Sequence, residues 1–161
     1  MTEDEIKQFF IRAVNLYLEE KDELLANAEL MRKTLCSTEK LQQEVDGYQQ
    51  EMAVLVDMTQ NLVSENARVA VDQTEYTEKY NSLVDRYEAT KAKYDTAQAA
   101  IEAKRSQDEL MQAFIKTVRE LDGFRENFDE GLWSALVDFV TVYEKKKLVF
   151  TFLDGVEITV E

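Results

Sequence analysis

LQQEVDGYQQEMAVLVDMTQNL at residues 41–62 and YTEKYNSLVDRYEATKAKYDTAQAAI at residues 76–101 decide the fold. In the first stretch Leu41, Val45, Tyr48, Met52, Leu55, Thr59 and Leu62 recur in alternating steps of four and three. That spacing is the seam of a coiled coil. In the second, Tyr76, Tyr80, Leu83, Tyr87, Thr90, Tyr94, Ala97 and Ile101 repeat it, and Met111, Ile115 and Val118 extend it. Lys104 and Asp108 interrupt the longer seam. In an antiparallel pair, facing positions keep a nearly constant sum of residue numbers. Leu62 with Tyr76, Leu55 with Leu83, Tyr48 with Thr90 and Leu41 with Ala97 all sum to 138. Thr59 with Tyr80, Met52 with Tyr87 and Val45 with Tyr94 sum to 139. One register thus satisfies both seams, and it predicts an antiparallel coiled coil with its tip at about 66–72. Large residues face small ones at Leu41/Ala97 and Tyr48/Thr90, which favours close packing.

Working outward, Asp72 and Glu75 provide a capping signal for a helix over about 73–122, roughly 75 Å at 1.5 Å per residue. Such a helix predicts a rod. Upstream, Thr2 and Glu5 have the spacing of a capping box. Ile6, Phe9, Phe10, Ala13, Leu16, Tyr17, Leu24, Ala28, Met31 and Leu35 follow at helical spacing. The Cys36-Ser37-Thr38 step predicts a break with Ser37 as the next N-cap. Extending the register places Met31 opposite Asp108, Ala28 opposite Met111 and Leu24 opposite Ile115. This first helix either continues along the coil base or folds back as a third bundle strand.

Downstream of Asp122-Gly123 the pattern changes. Asp129 predicts the cap of a short helix through about Phe139. VTVYE, KLVFTF and VEITVE then alternate as strands. Asp154-Gly155 predicts a two-residue hairpin turn, which would put Val149, Thr151, Leu153, Val156, Ile158 and Val160 on one face. Lys145-Lys146-Lys147 reads as another hairpin turn. Three short strands need a helix to pack on, and the aromatic start of the first helix, with Trp133, supplies one. The fold class is therefore mainly α: a long antiparallel coiled coil with a short C-terminal helix and a small three-stranded antiparallel sheet. The expected organisation is residues 1–36 as a helix packing on the base, 37–122 as the coiled-coil arm, and 123–161 as the helix and strands of the base.

Composition excludes several functions. The 161 residues contain no histidine and one cysteine, Cys36. A Ser-His-Asp triad, a Cys/His zinc site and an intrachain disulfide are therefore impossible within these residues. With 33 acidic and 19 basic residues the formal net charge is −14, which opposes gripping DNA or an anionic membrane. No apolar run reaches the roughly 18 residues of a membrane span. MTEDEIKQFF lacks the basic and apolar regions of a signal peptide, and a lone thiol favours the cytosol. The acidic clusters Glu19, Glu20, Asp22, Glu23 and Asp129, Glu130 read as solvated helix faces or caps. The tyrosines read as seam residues with their hydroxyls at the edge. No catalytic, cofactor-binding or metal-binding residue is expected in this chain.

The tip remains. Asn66, Ala67, Arg68, Val69, Ala70 and Val71 place small and apolar groups around one positive charge. A plain interhelical turn and a contact surface both fit; exposed Val69 and Val71 make the second credible. The contact zone is Asn66 to Val71 with the neighbouring Leu62, Val63 and Tyr76.

ENARVAVDQTEYTEKYNSLVDRYEATKAKY at 65–94, FFIRAVN at 9–15, FDEGLWSALVDFVTVY at 128–143 and LVFTFLDGVEITV at 148–160 together resemble a known family. They are similar to the C-terminal region of large serine recombinases, the integrases and transposon resolvases of mobile elements in Gram-positive bacteria. The tail, with Trp133 before VTVY and the Asp-Gly hairpin, is the more specific part. The family's catalytic segment and zinc-ribbon cysteines have no counterpart here, so no catalytic or zinc-binding residue carries over. The resemblance implies a bacterial, cytoplasmic parent whose missing domains hold DNA and zinc. It implies that this arm meets other recombinase subunits and a recombination directionality factor, supporting synapsis and setting integration against excision. A structural coiled-coil spacer or scaffold unrelated to recombination is the competing reading.

Overall fold

The structure is a computed structural model that describes residues 2–69, 72–143 and 147–161. In chain order it contains α1 (Glu3–Leu18), α2 (Lys21–Leu35), α3 (Glu39–Arg68), α4 (Gln73–Glu120), α5 (Glu130–Leu136), β1 (Val137–Val142), β2 (Leu148–Phe152) and β3 (Glu157–Val160). It is mainly α with a small antiparallel sheet, as the sequence predicts. The chain divides into two compact units: Met1–Cys36 with Ser106–Glu161, and Ser37–Arg105. The last part of α4, which the sequence reading groups with the arm, belongs to the first unit.

In the second unit α3 and α4 pair along the expected seam. Val45, Leu55, Leu83, Thr90, Ala97 and Ile101 are buried along it. Val45, Ala97 and Ile101 form one cluster, with Leu41, Tyr48 and Tyr94 packed against it. The Tyr94 hydroxyl accepts hydrogen bonds from Gln49 at 3.2 Å and Gln98 at 3.1 Å. A tyrosine here therefore packs its ring and satisfies its polar end at the edge. Thr38, not Ser37, is the N-cap of α3, and its side chain makes no capping bond.

The first unit holds the larger core. The Thr2–Glu5 capping box forms as predicted, with Thr2 N–H donating to Glu5 at 2.8 Å and Glu5 N–H donating to Thr2 Oγ1 at 3.3 Å. The expected single helix to Leu35 is instead two helices, broken at Glu19 and Glu20. The break lets Lys21 turn inward. Its Nζ donates to the carbonyls of Arg119 at 2.9 Å and Leu121 at 2.6 Å, and lies 3.4 Å from Asp122. These are carbonyls that the end of α4 leaves without helical partners, and a cation there also suits the helix dipole. With no glycine or proline at the break, local punctuation does not announce it.

α2 packs on the last turns of α4: Ala28, Met111 and Ile115 share one core, with Leu24 against it. Met31 does not face Asp108. Met31 is exposed, and Arg32 takes its place, with Nε 2.7 Å and Nη2 3.3 Å from the two oxygens of Asp108. A carboxylate interrupting an apolar seam needs a cationic partner rather than a thioether. Arg32, and then Gln112, hold the Asp108 carboxyl below its usual range.

α1 lies against β2 and β3. Phe10 is the hub: its ring centroid is 4.9 Å from Trp133, 5.6 Å from Phe128 and 6.1 Å from Phe150. Asp129 caps α5 by accepting Leu132 N–H at 3.0 Å. The helix stops at Leu136, short of the expected Phe139, because Val137–Val142 are drawn into the sheet beside β2. The register shifts between Val137 and Phe139.

The β2–β3 register also departs from expectation. Leu148 pairs with Val160 and Phe150 with Ile158. Phe152 N–H donates to Val156 O at 2.9 Å. The loop therefore has three residues, Leu153-Asp154-Gly155, with Gly155 at φ +84°, and a positive φ at that loop position suits glycine. A one-residue slip turns a strand over. Leu148, Phe150 and Phe152 enter the apolar core, whereas Val149 is half-buried and Leu153 exposed; Thr151 is buried as well. The cause lies in Asp154. Its Oδ1 accepts Val156 N–H at 3.1 Å and its Oδ2 accepts the Tyr17 hydroxyl at 2.6 Å. Tyr17 also stacks on Phe152, with centroids 4.1 Å apart. Of the expected lysine turn, Lys145 and Lys146 lie outside the described residues; Tyr143 N–H donates to Lys147 O at 2.8 Å across it.

Burial, and then the bond to Asp154, push the Tyr17 hydroxyl's pKa far above its ordinary value. The neutral phenol is thus favoured in the folded chain, so this contribution is complete below the unfolded pKa of about 10 and is lost as pH rises above it. Tyr17→Phe should cost about 1–3 kcal/mol at neutral pH, because buried Asp154 loses its donor. It should also flatten the alkaline fall in stability. Urea unfolding across pH 7 to 11 checks both, and an unchanged alkaline limb would count against this role.

Candidate interaction site

The tip is built by two helix ends. α3 closes at Arg68, and Val69 leaves it in extended conformation with its N–H donating to Glu65 O at 3.0 Å. Arg68 lies in the last turn of α3, where a cation suits the helix dipole. α4 opens after Asp72, whose Oδ1 accepts the N–H groups of Thr74 at 2.8 Å and Glu75 at 3.1 Å. The Glu75 and Thr74 amides hold the Asp72 carboxyl below its usual range. Asn66 Oδ1 accepts from Gln73 Nε2 at 3.0 Å and so ties the two ends together.

The predicted contact residues therefore divide by role. Asn66 fastens the turn, and Leu62 is half-buried at its seam position. Tyr76 is half-buried and stacks with Tyr80, centroids 6.1 Å apart. Val63, Ala67, Arg68 and Val69 face solvent, Val69 at 64% exposure. Ala70 and Val71 lie outside the described residues. Among the described residues the tip thus presents exposed Ala67 and Val69 with the Arg68 guanidinium.

Sequence reasoning missed a second apolar surface. A groove of about 750 Å³ runs along one side of the α3–α4 pair, lined by Val56, Gln60 and Val63 from α3 and Tyr80, Val84 and Tyr87 from α4. Its signal lay beside the seam. Leu55-Val56, Leu62-Val63 and Leu83-Val84 each place a valine one step around the helix from a seam leucine.

The acidic clusters gather nothing. Glu19, Glu20, Asp22 and Glu23 are exposed around the α1–α2 break, and Asp129 is used as a cap. Among the described residues no group of three or more His, Cys, Asp or Glu side chains could hold a metal ion. Cys36 is a half-buried free thiol. Among the described residues no helix is long and apolar enough to cross a membrane. A hollow of about 650 Å³ beside α1 is lined by Arg12, Asn15 and Arg125, among others. The Asn15 amide holds the Arg125 backbone there, donating to its carbonyl at 2.9 Å and accepting its N–H at 2.8 Å. Comparison with family models, curated proteins and solved structures finds no match to this chain.

Because Asp72 stabilises α4 as a carboxylate, its contribution is full above the ordinary carboxylate range and is lost as pH falls through the lowered folded value. Asp72→Ala should speed amide exchange at Thr74 and Glu75 by about tenfold, and Asp72→Asn should largely preserve protection. Hydrogen exchange read by NMR checks this; equal protection in Asp72→Ala would remove the capping role.

Proposed function

We propose that this chain is the C-terminal protein-interaction arm of a site-specific DNA recombinase of the large serine type. In this reading the arm contacts other recombinase subunits, supports synapsis of attachment sites and helps to set integration against excision. The observation that carries the proposal is Val69, 64% exposed where the chain leaves α3 next to Arg68. An exposed valine at a helix end is costly to leave in water and gains when a partner covers it. The resemblance of residues 9–15, 65–94, 128–143 and 148–160 to recombinase tails supports this reading of the parent.

Charge supports a division of labour. A formal net charge of −14 suits contact with protein and opposes holding phosphates, so DNA binding falls to other domains of the parent. The serine nucleophile and the zinc ribbon belong there too, and the arm itself carries out no reaction. The parent acts in the bacterial cytoplasm, and a directionality factor is its further partner. Contacts through so small a surface are weak alone and gain strength when DNA tethers the subunits.

Two measurements test the proposal. The coding sequence adjoining this chain should encode a serine-recombinase catalytic domain and paired CxxC motifs; an unrelated neighbour would favour a structural spacer. In the full-length parent, Val69→Asp with Val71→Asp should reduce synapsis by about tenfold or more while leaving single-site DNA binding unchanged. Unchanged synapsis and unchanged direction would reject the tip as the contact.

A further inference from the structure

β1 is an open edge of the sheet. β2 lies on one side of it, and among the described residues no strand lies on the other. Tyr143 N–H donates to Lys147 O, and Thr141 and Phe139 precede Tyr143 at steps of two, opposite Val149 and Thr151. The backbone groups of these three residues therefore turn toward β2, and those of Val140 and Val142 turn outward. Natural sheet edges are guarded by lysine, proline or an inward-pointing charge. From Phe139 to Tyr143 this edge carries none of them: FVTVY is uncharged and made of strand-forming residues. Phe139, Val142 and Tyr143 are 52%, 56% and 53% exposed, so the apolar side chains of the edge stand largely in water. The register shift between Val137 and Phe139 and the charge of Asp138 blunt only its start. β3, the opposite edge, differs: it carries Glu157 and lies against α1.

Outward N–H and C=O groups at alternate residues are met by another extended strand. The side chains and charges say which strand. When two copies of β1 run antiparallel about a two-fold axis through Thr141, Val140 of each exchanges hydrogen bonds with Val142 of the other. Phe139 of each copy then faces Tyr143 of the other, and Thr141 faces Thr141, so the exposed apolar side chains of the edge meet one another. Charge favours the same arrangement. Exposed Asp138 stands at one end of the uncharged run, and Lys147, whose Nζ is 6.0 Å from the centre of the Tyr143 ring, stands at the other. Antiparallel pairing brings Asp138 of each copy to the lysine end of its partner, whereas parallel pairing sets like ends together. We propose that β1 pairs antiparallel with β1 of a second copy of this chain, giving one sheet continuous across both chains. A two-fold contact of this kind uses both β1 edges and closes at a dimer. The five residues of FVTVY are fewer than the about 20–30 per side of a stable interface, so the dimer forms at high concentration or where other contacts hold two copies close. The pairing depends neither on the tip nor on the recombinase reading.

The test uses the whole chain. In a Cys36→Ser background, Thr141→Cys should form a disulfide-linked dimer on oxidation, because a pair that exchanges no hydrogen bonds sets its Cα atoms about 4.5 Å apart, within disulfide reach. Thr159→Cys, exposed on β3, should form such a dimer about tenfold more slowly or less. Without the added cysteine, sedimentation should find monomer at about 10 μM and dimer at about 1 mM. Val142→Pro removes an outward donor and no bond to β2. Val142→Lys keeps that donor and puts a charge on the edge. Each should reduce the dimer by about tenfold or more in both assays, with circular dichroism and Trp133 fluorescence unchanged. Equal cross-linking from Thr159→Cys, or a dimer indifferent to both Val142 variants, would place the contact elsewhere and overturn the proposal. A chain still monomeric at about 1 mM would leave the edge to a different strand and overturn it as well.

Discussion

The seam between α3 and α4 is narrow, and the arm's properties follow from that narrowness. Two helices alone bury only the residues that point directly between them. Here those are Val45, Leu55, Leu83, Thr90, Ala97 and Ile101. A fully buried aliphatic side chain contributes about 1.5–3 kcal/mol, so every large seam residue matters to the pairing. Local ion pairs such as Lys79–Glu75 and Lys91–Asp95 are exposed and screened, and they contribute little beyond solubility. A two-helix seam also leaves both flanks of each helix in water. Valines placed there, such as Val56 and Val63, do not stabilise the pair by burial, which makes them candidates for contact with something else.

The first unit solves a different problem. Three short strands cannot stand alone, and the Phe10, Trp133 and Phe150 rings weld the sheet to α1. Its register hangs on one buried polar pair, Tyr17 with Asp154. Asp154 turns the loop and also fills the hydrogen-bonding need of a phenol buried among apolar groups. Lys21 performs a comparable service for the end of α4. In both places a polar side chain supplied by one element completes the backbone or side chain of another, and the tertiary fold becomes specific.

That pattern explains which features the sequence made legible. Heptad spacing and the constant sum of facing positions disclosed the seam and the turn, because both follow from helix geometry alone. The Thr2 box and the Asp72 and Asp129 caps were readable because their partners lie two or three residues away. The break at Glu19–Glu20 was not readable, since the contacts that accompany it run from Lys21 to residues about a hundred positions later. Arg32 replacing Met31 opposite Asp108 is likewise a tertiary choice. Asp154-Gly155 permits a two-residue or a three-residue loop, and Tyr17 decides between them from far along the chain. At the candidate site, the tip was legible as a gap between seams. The lateral groove was not, because heptad reading credits seam positions and passes over the valines beside them.

A flexible spacer and an interaction arm place the same demands on the seam but differ at the tip. A spacer needs only a turn; an arm needs the turn's apolar surface to meet another subunit. Site-specific photo-cross-linking from a benzophenone side chain at position 69 of the proposed recombinase parent separates them directly. An interaction arm predicts an adduct that joins two subunits and forms only when two attachment sites are paired. No adduct, or equal cross-linking from position 54 midway along α3, would contradict it.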